Sequence, residues 1–325
     1  MELDYKKYYK KSKIRRVINI RILEYISKLT KKNFYIESKL YKNLNILDIK
    51  QTNLLIGDMI KQKQPYLIGR YGGTEMNLII TYLGTDFLGE HALEKATKQL
   101  CDLSGFFPKD VELAKKFAEM MLEISSEIDL LGIWDTFMED YLCNRFTVNS
   151  SFTRLRYLEP YYALEENILP WTSSLSGLKV LVIHPFSDSI EYQYKNRDKI
   201  WPQCEMLPKF ELKTIKAVQT IADQEDDRFN NWFEALEYMV EEAKKIDFDV
   251  ALVGCGAYGL PLAAEIKKNG KCAIHLGGAL QILFGIRGVR WDNHSVISKF
   301  YNEYWIRPFE IKPKAFEKVE KGCYW

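Results

Sequence analysis

Residues 178–278 alternate regularly between apolar runs and helical patterns, and few folds accommodate that order. The runs "LKVLVIHPF", "FDVALVGCG" and "KCAIHLGG" are almost continuously apolar, and amphipathic segments such as "NWFEALEYMVEEAKK" separate them. Strands of this kind are buried on both faces, which requires a parallel sheet with helices on each side. An earlier unit, "YLIGRYGGTE" followed by "MNLIITYL", repeats the strand, glycine turn and helix. The sequence therefore predicts an α/β fold with a Rossmann-like, doubly wound and mostly parallel sheet.

The N-terminus is basic and has an apolar helical pattern. Residues 1–32 contain eleven Lys or Arg and three acids, and apolar residues recur there at helical spacing: Ile14, Val17, Ile18, Ile22, Tyr25, Ile26 and Leu29. This pattern predicts a basic amphipathic helix. Its apolar stripe either packs on the protein or lies in the headgroup region of an anionic membrane. We predict a helical extension over residues 1–60 and one α/β domain over residues 61–325.

Composition excludes several classes of protein. The net charge of +2 in 325 residues argues against a nucleic acid partner. Six cysteines without a C-x-x-C pair are typical of reduced cytoplasmic thiols. The longest uncharged runs, 250–264 and 272–286, are too short to cross a bilayer. We therefore expect the protein in the cytoplasm, with the inner face of the cell membrane as an alternative location through residues 1–32.

A glycine-rich turn, "GCGAYG", follows one of the apolar runs and precedes a helical pattern. Gly254, Gly256 and Gly259 let the chain turn tightly, so that a phosphate can approach the N-terminus of the next helix. A dinucleotide site would place an acid after the following strand, but His275 stands there in "CAIHLGG". The turn therefore indicates a phosphate-bearing ligand other than NAD, or else serves only as a tight turn.

The segment "GRYGGTE" is a second candidate site, because it follows the first predicted strand. Arg70 can bind a phosphate with two hydrogen bonds, and Glu75 can ligate a divalent metal or act as a base. Gly72 and Gly73 lie between them. The alternative is that Arg70 and Glu75 form an ion pair at the turn.

Polar residues also follow other predicted strands. His184 and Asp188 lie in "IHPFSDS", and the late segment "GGALQILFGIRGVRWDNH" contains Gly277, Gly278, Arg290 and Asp292. Because the carboxyl ends of parallel strands meet at one edge of a sheet, we expect these residues to share a cleft. A D-x-D sequence, Asp247 to Asp249, precedes its strand and is predicted at the opposite edge.

These motifs resemble bacterial glycosyltransferases of the GT-D fold. The resemblance rests on "RYGGTE" and on residues 178–290 with their late glycine turn and "HLGG". In that family the early motif reads Arg-aromatic-Gly-Asp-Gly-Glu, and its two carboxylates bind the metal that holds the diphosphate of a nucleotide sugar. The resemblance implies that residues 61–325 bind a nucleotide sugar and that Glu75 ligates Mn²⁺ or Mg²⁺.

This chain departs from the family motif at two positions. Gly73 stands where the family has aspartate, and Thr74 stands at its second glycine. Either Glu75 acts with another acid, Asp188 or Asp292, or arginines balance the diphosphate charge without metal.

The leading hypothesis is a hexosyltransferase that moves a sugar from a UDP-linked donor to a hydroxyl of a surface glycan or of a lipid-linked glycan. Asp188 is the first candidate for the base, before Glu75 and Asp292, and Arg70 or Arg290 would stabilise the departing diphosphate. The predicted donor-binding residues are Arg70, Gly72, Gly73, His184, Gly254, Gly256, Gly259, His275, Gly277, Gly278 and Arg290. The alternatives are another Rossmann-type enzyme, an oxidoreductase or methyltransferase, and a non-catalytic subunit of a glycan-assembly complex.

Overall fold

Eight parallel strands form one sheet in the computed structural model, which describes residues 4–30, 36, 38, 40–147, 149–202, 204–221, 226–312, 317 and 322–325. The strand order is β1-β4-β3-β2-β8-β7-β5-β6. The strands are β1 (Ile46–Leu47), β2 (Leu67–Gly69), β3 (Leu130–Ile133), β4 (Ser151–Arg154), β5 (Lys179–His184), β6 (Glu211–Lys216), β7 (Val250–Val253) and β8 (Cys272–His275). From β2 the chain moves outward through β3 to β4, and β5 to β8 form the other half. The predicted α/β class and parallel sheet are confirmed.

Helices flank this sheet on both faces. They are α1 (Tyr5–Val17), α2 (Glu24–Thr30), α3 (Ile49–Gln62), α4 (Gly73–Leu83), α5 (Thr85–Leu88), α6 (Glu90–Ser104), α7 (Val111–Ser125), α8 (Glu139–Phe146), α9 (Leu155–Leu158), α10 (Tyr162–Glu165), α11 (Ser187–Tyr194), α12 (Arg197–Ile200), α13 (Trp232–Lys244), α14 (Gly259–Lys268) and α15 (Leu280–Leu283).

Strand side chains alternate between two apolar layers. In β5, Val180 and Val182 pack into one layer, whereas Leu181 and Ile183 pack into the other. This alternation follows from the pleat of a strand, which turns successive side chains to opposite faces. Both faces of the sheet are therefore buried, as the continuous apolar runs predict.

Two strands have no clear signal in the sequence. Strand β1 has two residues, and β4 is the short segment "SFTR", in which Phe152 and Thr153 are buried. Both pair in register within the first half of the sheet. Strand β1 and helix α3, which we assigned by sequence to the extension of residues 1–60, pack with the sheet. The boundary at residue 60 stays a prediction.

The N-terminal helix contacts the protein through polar and aromatic side chains. Helix α1 continues through a π-helical turn, Ile18–Leu23, into α2. Tyr8 donates a hydrogen bond to Asp140, and Arg15 forms an ion pair with the same carboxylate at 3.1 Å. The predicted apolar stripe is mostly exposed instead of packed: Ile14 63%, Val17 45%, Ile22 50%, Tyr25 64% and Leu29 66%. Among the described residues, no helix is both long and apolar enough to cross a bilayer.

Two adjacent buried acids begin α8. Asp140 holds α1, as described above, and Glu139 accepts hydrogen bonds from the Tyr41 hydroxyl and from the backbone N–H groups of Trp134 and Thr136. Burial raises the pKa of Glu139 to about 7. These bonds fix the loop after β3, and that loop carries Trp134 into the site described next.

Candidate functional site

A cleft of about 680 Å³ lies at the carboxyl ends of the central strands β2, β8, β7 and β5. The two halves of the sheet meet there, at the β2–β8 pair. The chain leaves these two strands toward opposite faces, because α4 after β2 packs in one apolar layer and α15 after β8 packs in the other. Open α/β sheets bind ligands in such a crevice, and the volume is typical of a small-molecule site. Most of the predicted site residues line this cleft: Arg70, Gly72, Gly73, Glu75, His184, Gly254, Gly256, His275, Gly277, Gly278 and Arg290.

Arg70 is the central cation of the cleft. Its guanidinium carbon lies 5.2 Å from the ring centre of Trp134, and an added Cβ at Gly277 would lie 3.8 Å from that carbon. The ion pair with Glu75, which was the alternative to a ligand site, does not form, and among the described residues no carboxylate forms an ion pair with Arg70. Its buried Nε also has no hydrogen-bond partner there. Arg70 therefore brings an unneutralised positive charge to the cleft.

Glu75 lies in the first turn of α4, against the N-terminus of that helix. Its side chain is 6% exposed, and one carboxylate oxygen accepts a hydrogen bond from the Thr74 hydroxyl at 2.9 Å. An added Cβ at Gly72 would lie 1.8 Å from this carboxylate, so only glycine leaves room for it. The helix N-terminus favours the negative charge of Glu75. The early motif thus places a carboxylate beside the cleft.

The third glycine of the late motif makes room for a histidine. The His275 ring packs against Gly259, where an added Cβ would lie 2.0 Å from Cε1. Its Nδ1–H donates to the Val253 carbonyl at 3.2 Å, and burial, together with the charge of Arg70, lowers the pKa of His275 to about 3. Gly259 itself does not line the cleft, whereas Gly254 and Gly256 do.

His184 presents a neutral ring to the cleft. Its Nδ1 accepts a hydrogen bond from the Phe186 N–H at 3.0 Å, which leaves the proton of the neutral ring on Nε2. Burial lowers the pKa of His184 to about 3, so the ring stays uncharged at neutral pH. His184 can therefore donate a hydrogen bond to a ligand oxygen.

Two helices begin at the cleft. Gly72 and Gly73 lie at the start of α4, and the turn from Gly256 leads into α14. Gly256 has a φ of +57°, which favours glycine. Neither N-cap residue, Gly72 or Tyr258, contributes a side-chain hydrogen bond to its helix. The α4 N-terminus already faces the Glu75 carboxylate, so the turn into α14 is the source of positive helix-dipole potential that suits an anion.

Glu159 is a carboxylate of the cleft that sequence reasoning missed. It is half-buried near Arg70 and Arg290, and it accepts a hydrogen bond from the Tyr161 hydroxyl. Burial raises the pKa of Glu159 to about 7, while the Tyr161 bond and the two arginines oppose that rise. It follows the unpredicted strand β4, so no regular pattern marked its position.

Asp188 and Asp292 are outside the cleft lining, contrary to our expectation of one shared cleft. Asp188 is exposed on α11 and pairs with Lys216 at 3.1 Å. Asp292 pairs with Arg287 at 3.5 Å and also with Arg307. A strand end turns one side chain inward and the next outward, and the sequence alone does not tell which. For Asp247 and Asp249, the predicted location at the opposite edge holds: they contact Lys179 and Lys63 there.

A protein-bound metal does not fit the described residues. Among them, no three His, Cys, Asp or Glu side chains gather where they could hold an ion. Glu75 has Gly73 beside it in place of a second carboxylate, and its own carboxylate contacts Thr74. The cations that face a ligand in this cleft are therefore Arg70 and Arg290.

Residues 214–283 match the family model of the GT-D fold-like domain. The matched segment begins at the end of β6, ends with α15, and contains the late glycine turn and His275. It confirms the resemblance to GT-D fold proteins over this part of the chain.

Two solved structures of a domain called domain of unknown function 1792 are similar to this chain. The first is described as having a distinct glycosyltransferase fold, and 72% of this chain and 78% of that chain are covered at 14% identity and a TM-score of 0.41. The second is a selenomethionine-substituted structure, with 74% and 82% covered at 14% identity and a TM-score of 0.41. No curated protein matches the chain.

The contact between Gly259 and His275 is testable by a double variant. Gly259→Ala forces the His275 ring away, and we expect it to lower the free energy of unfolding by about 1–3 kcal/mol. Adding His275→Ala to this variant removes the clashing ring. The loss of unfolding free energy in the double variant should therefore be smaller, by about 1 kcal/mol or more, than the sum of the losses in the two single variants. Urea unfolding measures all three. The exposed His91→Ala is the control, and an equal rescue by it would contradict the contact.

Proposed function

We propose that this protein is a glycosyltransferase that moves a sugar from a nucleoside diphosphate donor, a UDP-linked sugar, to a hydroxyl of a surface-glycan acceptor. The observation that carries the proposal is Arg70, which lines the cleft without a carboxylate ion pair among the described residues, together with the glycine turn that leads into α14. This arrangement suits the two negative charges of a diphosphate. The match of residues 214–283 to a GT-D fold-like domain supports the same class of enzyme.

The donor diphosphate binds between Arg70 and Arg290 in this proposal. Arg290 also lines the cleft, and its guanidinium carbon lies 4.9 Å from the ring centre of Tyr324. The Nε2–H of His184 donates to a phosphate oxygen, and the N-terminus of α14 faces the same charge. Fixed donors and cations of this kind stabilise the negative charge that develops on the leaving diphosphate.

Glu75 is the proposed general base. The acceptor hydroxyl oxygen attacks the anomeric carbon of the donor sugar and forms the new glycosidic bond. The bond from that carbon to the diphosphate oxygen breaks, and the nucleoside diphosphate leaves with the electron pair. The acceptor proton passes to the carboxylate of Glu75. The exposed ion pairs of Asp188 and Asp292 make those acids weaker candidates than Glu75.

We further propose that the protein works at the inner face of the cell membrane. The helical N-terminus exposes apolar side chains beside many lysines and arginines. Such a surface fits an anionic bilayer, which attracts the basic residues and takes up the apolar ones.

Donor binding is tested by thermal unfolding with UDP, in the presence and absence of Mn²⁺. UDP at about 100 times its dissociation constant should stabilise the protein by about 2.7 kcal/mol. The shift should nearly vanish in Arg70→Ala and persist in Arg228→Ala, because Arg228 is an exposed arginine paired with Asp226. Stabilisation by NAD or S-adenosylmethionine without any effect of UDP would contradict the proposal.

Donor affinity should fall as the pH rises through about 7. Below that pH Glu159 is neutral, because burial raises its pKa to about 7, and it does not compete with the donor for the Arg70 guanidinium. Above it the ionised Glu159 repels the diphosphate. UDP-glucose is a suitable probe because both of its phosphates are esterified and keep a constant charge. We expect its dissociation constant to rise about three- to tenfold between about pH 6 and about pH 8.

Glu159→Gln should remove most of that pH dependence, as measured by calorimetric titration. The exposed Glu166→Gln is the matched control and should keep it. The same slope in Glu159→Gln and in the original protein would show that another group titrates.

Membrane binding is tested by sedimentation with phosphatidylglycerol vesicles. We expect binding to these vesicles, weaker binding to neutral phosphatidylcholine, and a loss of about tenfold in affinity for Ile14→Glu, since a charge is costly in the apolar part of the interface. Leu54→Glu is the control, because Leu54 is 59% exposed on α3, outside the N-terminal helix. Equal losses in both variants, or self-association without vesicle binding, would contradict the membrane assignment.

A further inference from the structure

A second cavity, of about 470 Å³, lies between the N-terminal helix and α4. Gly73 and Gln99 line both this cavity and the cleft. The two spaces therefore adjoin at the start of α4, where the Glu75 carboxylate lies. A group held in the second cavity therefore lies near Gly73, two residues before the proposed base Glu75.

The helical wall of this cavity is cationic. Arg15 and Arg16 both line it. Arg15 is held in place by its ion pair with Asp140, whereas Arg16 lies 5.5 Å from the ring centre of Phe137. Among the described residues, no carboxylate forms an ion pair with Arg16. Asp135 also lines the cavity, but its carboxylate pairs with Arg154, so Arg16 has no carboxylate partner among the described residues.

Ser12 is an independent sign of a ligand. Its side chain lines the cavity and is 1% exposed, and its hydroxyl has no hydrogen-bond partner among the described residues. A buried hydroxyl without a partner costs free energy, so such groups usually bind something. A phosphate oxygen would satisfy this hydroxyl and the Arg16 guanidinium together.

Apolar surface continues from the cavity to the outside of the protein. Ile20 lines the cavity and is still 53% exposed, and Val17 is 45% exposed on the same helix. Ile80 and Met76 form the apolar part of the opposite wall. A cationic cavity that opens onto exposed aliphatic side chains fits an amphiphile with a phosphate head and a hydrocarbon tail.

We propose that this cavity is the acceptor subsite and that it binds the phosphate of a lipid-linked glycan acceptor. The proposal rests on the glycosyltransferase function proposed above and names the acceptor class. The phosphate contacts Ser12 and Arg16, the hydrocarbon chain follows Ile20 and Val17 toward the membrane, and the acceptor sugar extends past Gly73 toward Glu75. The N-terminal helix then forms part of the active site as well as the membrane contact.

Octyl phosphate, below its micellar concentration, is the probe. We expect it to bind the full chain in calorimetric titration and to bind Arg16→Glu at least about tenfold more weakly, the loss expected for a reversed charge at a phosphate site. Lys11→Glu is the matched control: it makes the same charge change on the same helix, at an exposed residue that does not line the cavity, and should bind within about twofold of the original protein. If Arg16→Glu does not fold, Arg16→Gln replaces it as the test variant and should also bind octyl phosphate more weakly than the original protein.

Three results would overturn the acceptor subsite. They are no binding of octyl phosphate to the full chain, equal losses in Arg16→Glu and Lys11→Glu, and binding of octyl glucoside as tight as that of octyl phosphate. Inorganic phosphate that binds as tightly as octyl phosphate would overturn the lipid assignment. Thermal unfolding with UDP on the same samples separates the two proposals. We expect UDP to stabilise Arg16→Glu as much as the original protein. If octyl phosphate binds and UDP does not stabilise the protein, the cavity is a lipid phosphate site in a protein of another function.

Discussion

The pairing of β2 with β8 is the contact on which the site depends. Leu67 lies opposite Ala273 and Ile68 opposite Ile274, and these pairs join the two halves of the sheet. Arg70 follows β2 and Gly277 follows β8, so the same pairing brings residues far apart in the sequence to one place. Parallel strands end at the same edge, which is why one register fixes every loop of the cleft at once.

The glycines at and around the cleft have different structural roles. Gly72 leaves space for the carboxylate of Glu75, and Gly259 leaves space for the ring of His275. Gly256 adopts a left-handed conformation that other residues rarely adopt. The G-x-G-x-x-G pattern is therefore partly a packing motif, since its last glycine makes room for a histidine where dinucleotide sites have a close approach of helix and strand. The presence of His275 in place of an acid agrees with a ligand that is not NAD.

The second half of the fold and most of the cleft were predictable from sequence. Strands β5, β7 and β8 are buried apolar runs, and residues at or directly after their ends, such as His184 and Gly254, line the cleft as expected. The first half was harder, because β4 is half polar and β1 has only two residues. Glu159 follows β4 and was missed for that reason. The prediction for Asp188 was wrong for a different reason. Asp188 lies in the first turn of α11, one residue after the buried Ser187, and the periodicity of the sequence does not resolve which of two neighbouring side chains faces the cleft.

The strand order also decides what happens at the two ends of the sheet. One edge is β1, which has two residues, and the other is β6, whose exposed side chains include Glu211, Lys213 and Lys216. An exposed strand edge can pair with another chain and start aggregation, unless it is very short or carries charge. Strand β1 is very short, and strand β6 carries charged side chains. The eight-stranded sheet is open at both sides, and these features disfavour the pairing of either edge with a strand of another molecule.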